Sequence, residues 1–249
     1  MELKVYQDYN TMSEAAASKI LDCVKAKPDV LLCFATGDTP KLTYQLLSEM
    51  AKRNRVDFSR CFIISLDEWI GIPRDNPGSC HFFLHKYLFQ PLGILSSQVH
   101  LFDSMTTNEE LECQRMNKLI EEKGPIDFMV LGVGMNGHIG FNEPGTNIDS
   151  TAHVAILDET TRTVGKKYFQ EEVKISKGIT LGLTQVLTAG TVLMIANGIQ
   201  KAPVIKQAME GEISPLFPAS LMRLHKRGLL MIDTAAASEL ETSNKWQNN

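Results

Sequence analysis

The sequence predicts an α/β protein: a three-layer, Rossmann-like single domain with a mostly parallel sheet. Three observations carry this. Segments 29–35, 61–66, 126–131 and 191–196 are apolar nearly throughout, as strands buried on both faces must be. Stretches with helical spacing of apolar residues alternate with them. The 249 residues show no repeat, low-complexity linker or composition break, so residues 1–249 read as one domain with its own core.

In order, Val5 marks a short first strand. Thr11 and Glu14 are spaced as a capping box, and Ala15, Ile20, Leu21 and Val24 form the stripe of a helix that Pro28 ends. Strand 29–35 runs into Thr36-Gly37-Asp38-Thr39-Pro40, where Thr39 suits an N-cap and Pro40 a first helical residue. Leu42, Leu46, Leu47 and Met50 carry the next stripe. Strand 61–66 ends at Asp67-Glu68-Trp69, followed by an irregular loop marked by Gly71, Pro73, Pro77 and Gly78. Residues 81–89 and 109–123 read as helices, the second closed by Gly124-Pro125. Strand 126–131 opens a glycine-rich run, and 146–177 reads as loop and short helix. Segments 178–183 and 191–196 are further strands, 201–209 a helix and 228–232 a last strand. Residues 243–249 are polar and read as a frayed tail.

Composition narrows the function. A net charge of −4, from 25 basic and 29 acidic residues, argues against nucleic acid as a main partner. No apolar run approaches the roughly 20 residues of a membrane span, and the N-terminus lacks a signal-peptide core. Five cysteines, an odd count with no Cys-x-x-Cys pair, suit buried thiols in a reducing cytoplasm better than disulfides or zinc.

Chemistry is expected at the carboxyl ends of the strands, in loops 36–40, 67–79 and 134–145. The loop 132–145 holds Gly132, Gly134, Gly137, Gly140 and Gly145, with Asn136, His138, Asn142 and Glu143 between them. Gly132-x-Gly134-x-x-Gly137 matches a dinucleotide fingerprint by letters, but Pro144 and Gly145 break the helix that should follow. Thr36, Gly37, Asp38 and Thr39 precede a helix and can bind phosphate, although a plain capped turn looks the same. Asp67 or Glu68 is a candidate base. With His138 and Glu143 at the same sheet edge, carboxylates and an imidazole can divide acid and base work. His81 and His85 are spaced i, i+4 without a third ligand, so a packed pair is the commoner reading. Cys80 has no nucleophile signature and reads as incidental.

Ala35-Thr36-Gly37-Asp38-Thr39-Pro40, Leu66-Asp67-Glu68-Trp69, the run from Gly137 to Gly145 with its His-Ile-Gly-Phe-Asn-Glu-Pro string, and Phe217-Pro218-Ala219-Ser220 together resemble the glucosamine-6-phosphate deaminase/isomerase family over nearly the whole chain. The resemblance implies an enzyme acting on a 2-amino-2-deoxyhexose 6-phosphate, without metal or organic cofactor. His138, supported by Glu143, opens the sugar ring. Asp67 moves a proton from C2 to C1, ammonia leaves C2, and a ketose 6-phosphate results. The phosphate lies over residues 36–39 with Lys167 and Lys201 as cationic partners.

Departures refine this. Lys167 stands where many members carry arginine, and supplies a point charge without a bidentate fork. Asp38 replaces a glycine, and its charge must point away from a phosphate. Asn136 replaces an acid and can orient His138 but cannot accept a proton. His153 and Ala155 stand where an allosterically activated hexameric branch carries basic residues, so no activation by an N-acetylated sugar phosphate is expected. Assembly into a homo-oligomer is left open. Trp69, residues 77–80 and 90–94 lean toward the galactosamine-6-phosphate branch. The alternatives are a 6-phosphogluconolactonase-like hydrolase and a non-catalytic sugar-phosphate sensor.

Overall fold

The computed structural model describes residues 1–171 and 173–241; the tail 243–249 lies outside them. The chain runs β1 (Glu2–Tyr6), α1 (Tyr9–Ala26), β2 (Leu31–Phe34), α2 (Asp38–Asn54), β3 (Phe62–Ser65), β4 (Asp67–Trp69) and α3 (Cys80–Leu84). A π-helical turn (His85–Phe89) continues α3 into α4 (Gln90–Leu92). Then come β5 (Val99–His100), α5 (Glu109–Lys123), β6 (Phe128–Leu131), β7 (His153–Ile156), α6 (Glu159–Gly165) and β8 (Lys177–Thr180). The last elements are α7 (Leu183–Thr188), β9 (Thr191–Ala196), α8 (Ala202–Glu210) and β10 (Gly228–Asp233).

Seven strands form a parallel sheet in the order β1-β10-β9-β6-β2-β3-β5. Side chains alternate across it, which fills two cores. Leu32 and Phe34 of β2 pack with Ile20 of α1 and Tyr44 of α2. Leu31 and Cys33 join Met116 of α5 and Ile205 of α8 on the other face. Each fully buried aliphatic side chain contributes about 1.5–3 kcal/mol relative to exposure, so both faces must be covered.

Several expectations need correction. Helix α1 begins at Asp8, whose Oδ1 accepts from Thr11 N at 2.8 Å, while Thr11 Oγ1 accepts from Asp8 N. Thr11 thus closes the capping box from its far side, and Glu14 has no part in it. The cap position of α2 is Gly37, at φ +120°, and Thr39 lies inside the first turn. Its buried stripe is Thr43, Tyr44, Leu47 and Ala51, one residue round from the expected face. Residues 67–69 are not loop but strand β4, antiparallel to β8 in a separate three-stranded sheet β4-β8-β7. Segment 178–183 therefore does not join the parallel sheet, and 146–177 contains strand β7 as well as helix α6.

Candidate active site

From β2 the chain moves outward to β3 and β5. From β6, the neighbour of β2, it moves the opposite way to β9 and β10. The loops after β2 and β6 therefore diverge at a crevice, where such sheets bind ligands. A cavity of about 750 Å³ opens there. Thr36, Asp67, His138, Lys167 and Lys201 all line it.

The loop after β6 is shaped around His138. A Cβ on Gly134 would overlap the imidazole. Gly137 takes φ +82°, a conformation that glycine adopts cheaply, and the Phe217 ring occupies the space its side chain would need. Ala219 N donates to Gly137 O at 2.8 Å, so the Phe217–Ser220 motif clamps this loop from outside. Asn142 is fully buried and ties the loop to β8 by donating to Leu181 O at 2.8 Å. No helix follows Gly137.

Asn136 and Glu143 sit one layer behind His138 and do not line the cavity. Asn136 Oδ1 accepts from His138 N at 3.2 Å, and its Nδ2 donates to Glu143 Oε2 at 2.9 Å. That oxygen lies 3.6 Å from His138 Nδ1, which also meets Thr161 Oγ1 of α6 at 3.0 Å. Burial raises the Glu143 pKa, but His138, Thr161 and Asn136 outweigh it and hold the carboxyl below its usual value. Nδ1 is thus occupied, and Nε2 makes no hydrogen bond within the described residues. An imidazole held on one nitrogen by a carboxylate can shuttle a proton on the other.

The adjacent acids Asp67 and Glu68 divide cleanly. Glu68 accepts from the backbone N–H groups of Trp69, Cys80 and His81 at 2.8–2.9 Å, which caps the start of α3. Burial raises its pKa and these donors oppose the rise. Asp67 lines the cavity with a buried carboxyl. Burial, and secondarily the Glu68 charge, push its pKa up to about 7, with the Cys80 thiol pulling the other way. A carboxyl at that value is a strong enough base for carbon acids and is about half ionised at neutrality.

The cavity wall also carries cationic groups. Gly37 opens α2, a 17-residue helix whose positive end faces this loop. Lys201 lies just beyond β9, its Nζ donating to Val133 O at 2.6 Å. Burial, then the Lys167 ammonium, lower its pKa to about 8, against the pull of Asp38. Lys167 pairs with Asp38 at 2.7 Å, which neutralises the Asp38 charge at the cavity rim, where its side chain is 71% exposed. Burial lowers the Lys167 pKa, but Asp38 and Tyr168 more than reverse this.

Several lining residues carried no sequence signal. Cys80, set aside as incidental, is at the cavity wall beside Asp67. Asn197 accepts from Thr39 Oγ1 at 2.7 Å and belongs to the loop after β9. Tyr168, beside Gly37, belongs to the segment after α6 that roofs the cavity. His81, by contrast, engages Glu68 through its backbone, and among the described residues no cluster of three or more metal-ligating side chains occurs.

The family model for glucosamine-6-phosphate isomerases/6-phosphogluconolactonase matches residues 7–231. The glucosamine-6-phosphate deaminase of Thermoanaerobacter sp. (strain X514) is 37% identical over 239 residues, 96% of this chain and 94% of its own. Glucosamine-6-phosphate deaminase 1 of Bacillus subtilis (strain 168) is 36% identical, covering 96% and 99%. The solved structure of a monomeric glucosamine-6-phosphate deaminase superposes with TM-score 0.93 at 36% identity, over 96% of this chain and 100% of that one. The 6-phosphogluconolactonase of Trypanosoma brucei, at 20% identity and TM-score 0.76, shares the fold. The chain belongs to the glucosamine-6-phosphate isomerase/6-phosphogluconolactonase family.

Proposed function

We propose that this protein converts a 2-amino-2-deoxyhexose 6-phosphate to a ketose 6-phosphate and ammonia, with residues 1–249 acting as a single amino-sugar-phosphate isomerase/deaminase domain. The observation that carries the reading is Asp67, a buried carboxylate with a pKa of about 7 on the wall of a cavity that Lys167 and Lys201 also line. The phosphate sits against residues 36–39 at the start of α2, with Lys201 and Lys167 as counter-charges. His138 moves a proton from the anomeric hydroxyl to the ring oxygen, which opens the ring. Glu143 stabilises the imidazolium between the two transfers, and Asn136 holds both in place.

Asp67 then takes the C2 proton, giving an enolate, and returns a proton to C1, while O1 takes a proton from the nitrogen. The product is an imine at C2. Water adds to it, the C2–N bond breaks, and ammonia leaves the ketose. Every step is a proton transfer, an addition of water or the loss of ammonia from the resulting adduct, so no organic cofactor is required. Each proposed residue comes from one chain, and the reading needs no second copy. Five unpaired thiols suit a cytoplasmic enzyme.

Both C4 epimers fall within this reading. Relatives named for glucosamine 6-phosphate support that sugar. Trp69, which packs against Phe141 with ring centres 4.5 Å apart and planes inclined at 54°, and the 77–80 and 90–94 runs are the features that favour galactosamine 6-phosphate. The test is ammonia release from each epimer by purified protein. Stoichiometric ammonia from either supports the reading. Hydrolysis of a 6-phosphogluconolactone with no ammonia from amino sugars would replace it with the lactonase, and binding without turnover would replace it with the sensor.

A further inference from the structure

The side chain of Cys80 is buried at the cavity wall, at the first residue of α3. Its backbone N–H is fixed by Glu68 Oε1 at 2.9 Å. Its Sγ accepts from Thr36 Oγ1 at 3.1 Å and lies 3.7 Å from Asp67 Oδ1. Burial and the two neighbouring carboxylates push the Cys80 pKa well above the ordinary thiol value, so it stays protonated. A neutral S–H beside a carboxylate is a donor, not a nucleophile. Among the described residues no other side chain donates to the Asp67 carboxylate.

We propose that Cys80 is a positioning residue for the base, orienting the Asp67 carboxylate through its S–H and being oriented in turn by the Thr36 hydroxyl. This rests on Asp67 acting as the base. The relay Thr36 to Cys80 to Asp67 links the loop that binds phosphate to the group that takes the C2 proton. An S–H donor is weak, so it orients the carboxylate without quenching its basicity. The other titratable groups near Asp67 are Glu68 beside it, Cys33 from β2 and Tyr44 from α2, and the last two stay neutral because both are buried with pKa values pushed upward.

The test compares pH profiles of kcat/KM for the wild type, Cys80→Ala and Cys80→Ser. Removing the donor disfavours the ionised carboxylate, so the acidic limb in Cys80→Ala should move up by about 0.5–1 pH unit, with kcat/KM at pH 6 falling about 3–10-fold. Cys80→Ser restores a donor and should return the limb to the wild-type position or below. A 13C NMR titration of the Asp67 carboxyl without substrate, assigned by its loss in Asp67→Asn, should show the same displacement. An acidic limb and an NMR titration both unmoved or lowered in a folded Cys80→Ala would overturn the proposal. If Cys80→Ala does not fold, Cys80→Val takes its place. If the wild type releases no ammonia, the functional reading falls, and the NMR titration still decides the role of Cys80.

Discussion

Asn136 grips His138 and Glu143 at once: its Oδ1 accepts from the His138 backbone at 3.2 Å and its Nδ2 donates to Glu143 Oε2 at 2.9 Å. One amide therefore fixes the spacing of the imidazole and the carboxylate behind it. It takes no proton itself, and its contribution is geometric. Asn136→Ala should lower kcat about 10-fold with little change in KM, the equivalent of one or two net hydrogen bonds. Steady-state kinetics decide it; an unchanged kcat would detach Asn136 from the mechanism.

Gly134 is needed for space. Because a Cβ there would overlap the His138 ring, Gly134→Ala must displace the imidazole. A shift on the order of 1 Å at a reacting group costs about 100-fold in rate. The expectation is a loss of that size in kcat/KM, with circular dichroism showing the fold retained.

Two groups set the expected pH dependence of kcat/KM, which reports the free enzyme. Asp67 must be ionised to act as a base, so activity should fall as pH drops through about 7. Lys201 must be charged to hold phosphate, so activity should fall again as pH rises through about 8. Lys201→Met should raise KM and abolish the basic limb while keeping the acidic one. A profile, corrected for substrate ionisation, that is flat between pH 6 and pH 9 would contradict both assignments.

Asp67→Asn separates function from stability. The folded pKa of about 7 lies above the 3.8 of an ordinary aspartate, so the buried charge destabilises the fold most at pH above 7. As pH falls below 7 the folded state takes up the proton first, and the cost shrinks progressively until pH nears 3.8. Asp67→Asn should therefore be inactive yet more stable by on the order of 1–3 kcal/mol at pH 8, with the gain shrinking toward pH 5. Denaturant melts at the two pH values test this. A gain that did not shrink toward pH 5 would mean Asp67 has an ordinary pKa.

The parallel sheet and its loops were legible because strands buried on both faces leave apolar runs that periodicity detects. The second sheet was not. Strand β4 is three residues, two of them acidic, and looks like loop. Its partner β8 is buried from Gly178 to Thr180 and runs into Leu181-Gly182-Leu183, so the stretch reads like a parallel strand. The helix starts were displaced for a related reason: Asp8 and Gly37 outcompete Thr11 and Thr39 as caps by backbone geometry that the letters alone do not carry. His138 and Glu143 stood out by their glycines and their motif. Cys80, Asn197 and Tyr168 reach the cavity only through tertiary placement and left no local trace.

The measurement that bears most directly on the mechanism is the reaction run in D2O with glucosamine 6-phosphate or galactosamine 6-phosphate, read by NMR. The account predicts one ammonia per ketose 6-phosphate, deuterium at C1 of the product, and neither exchange at C2 nor product with Asp67→Asn. Wild-type C2 exchange in Asp67→Asn, or a wild type that hydrolyses lactone without releasing ammonia, would contradict it.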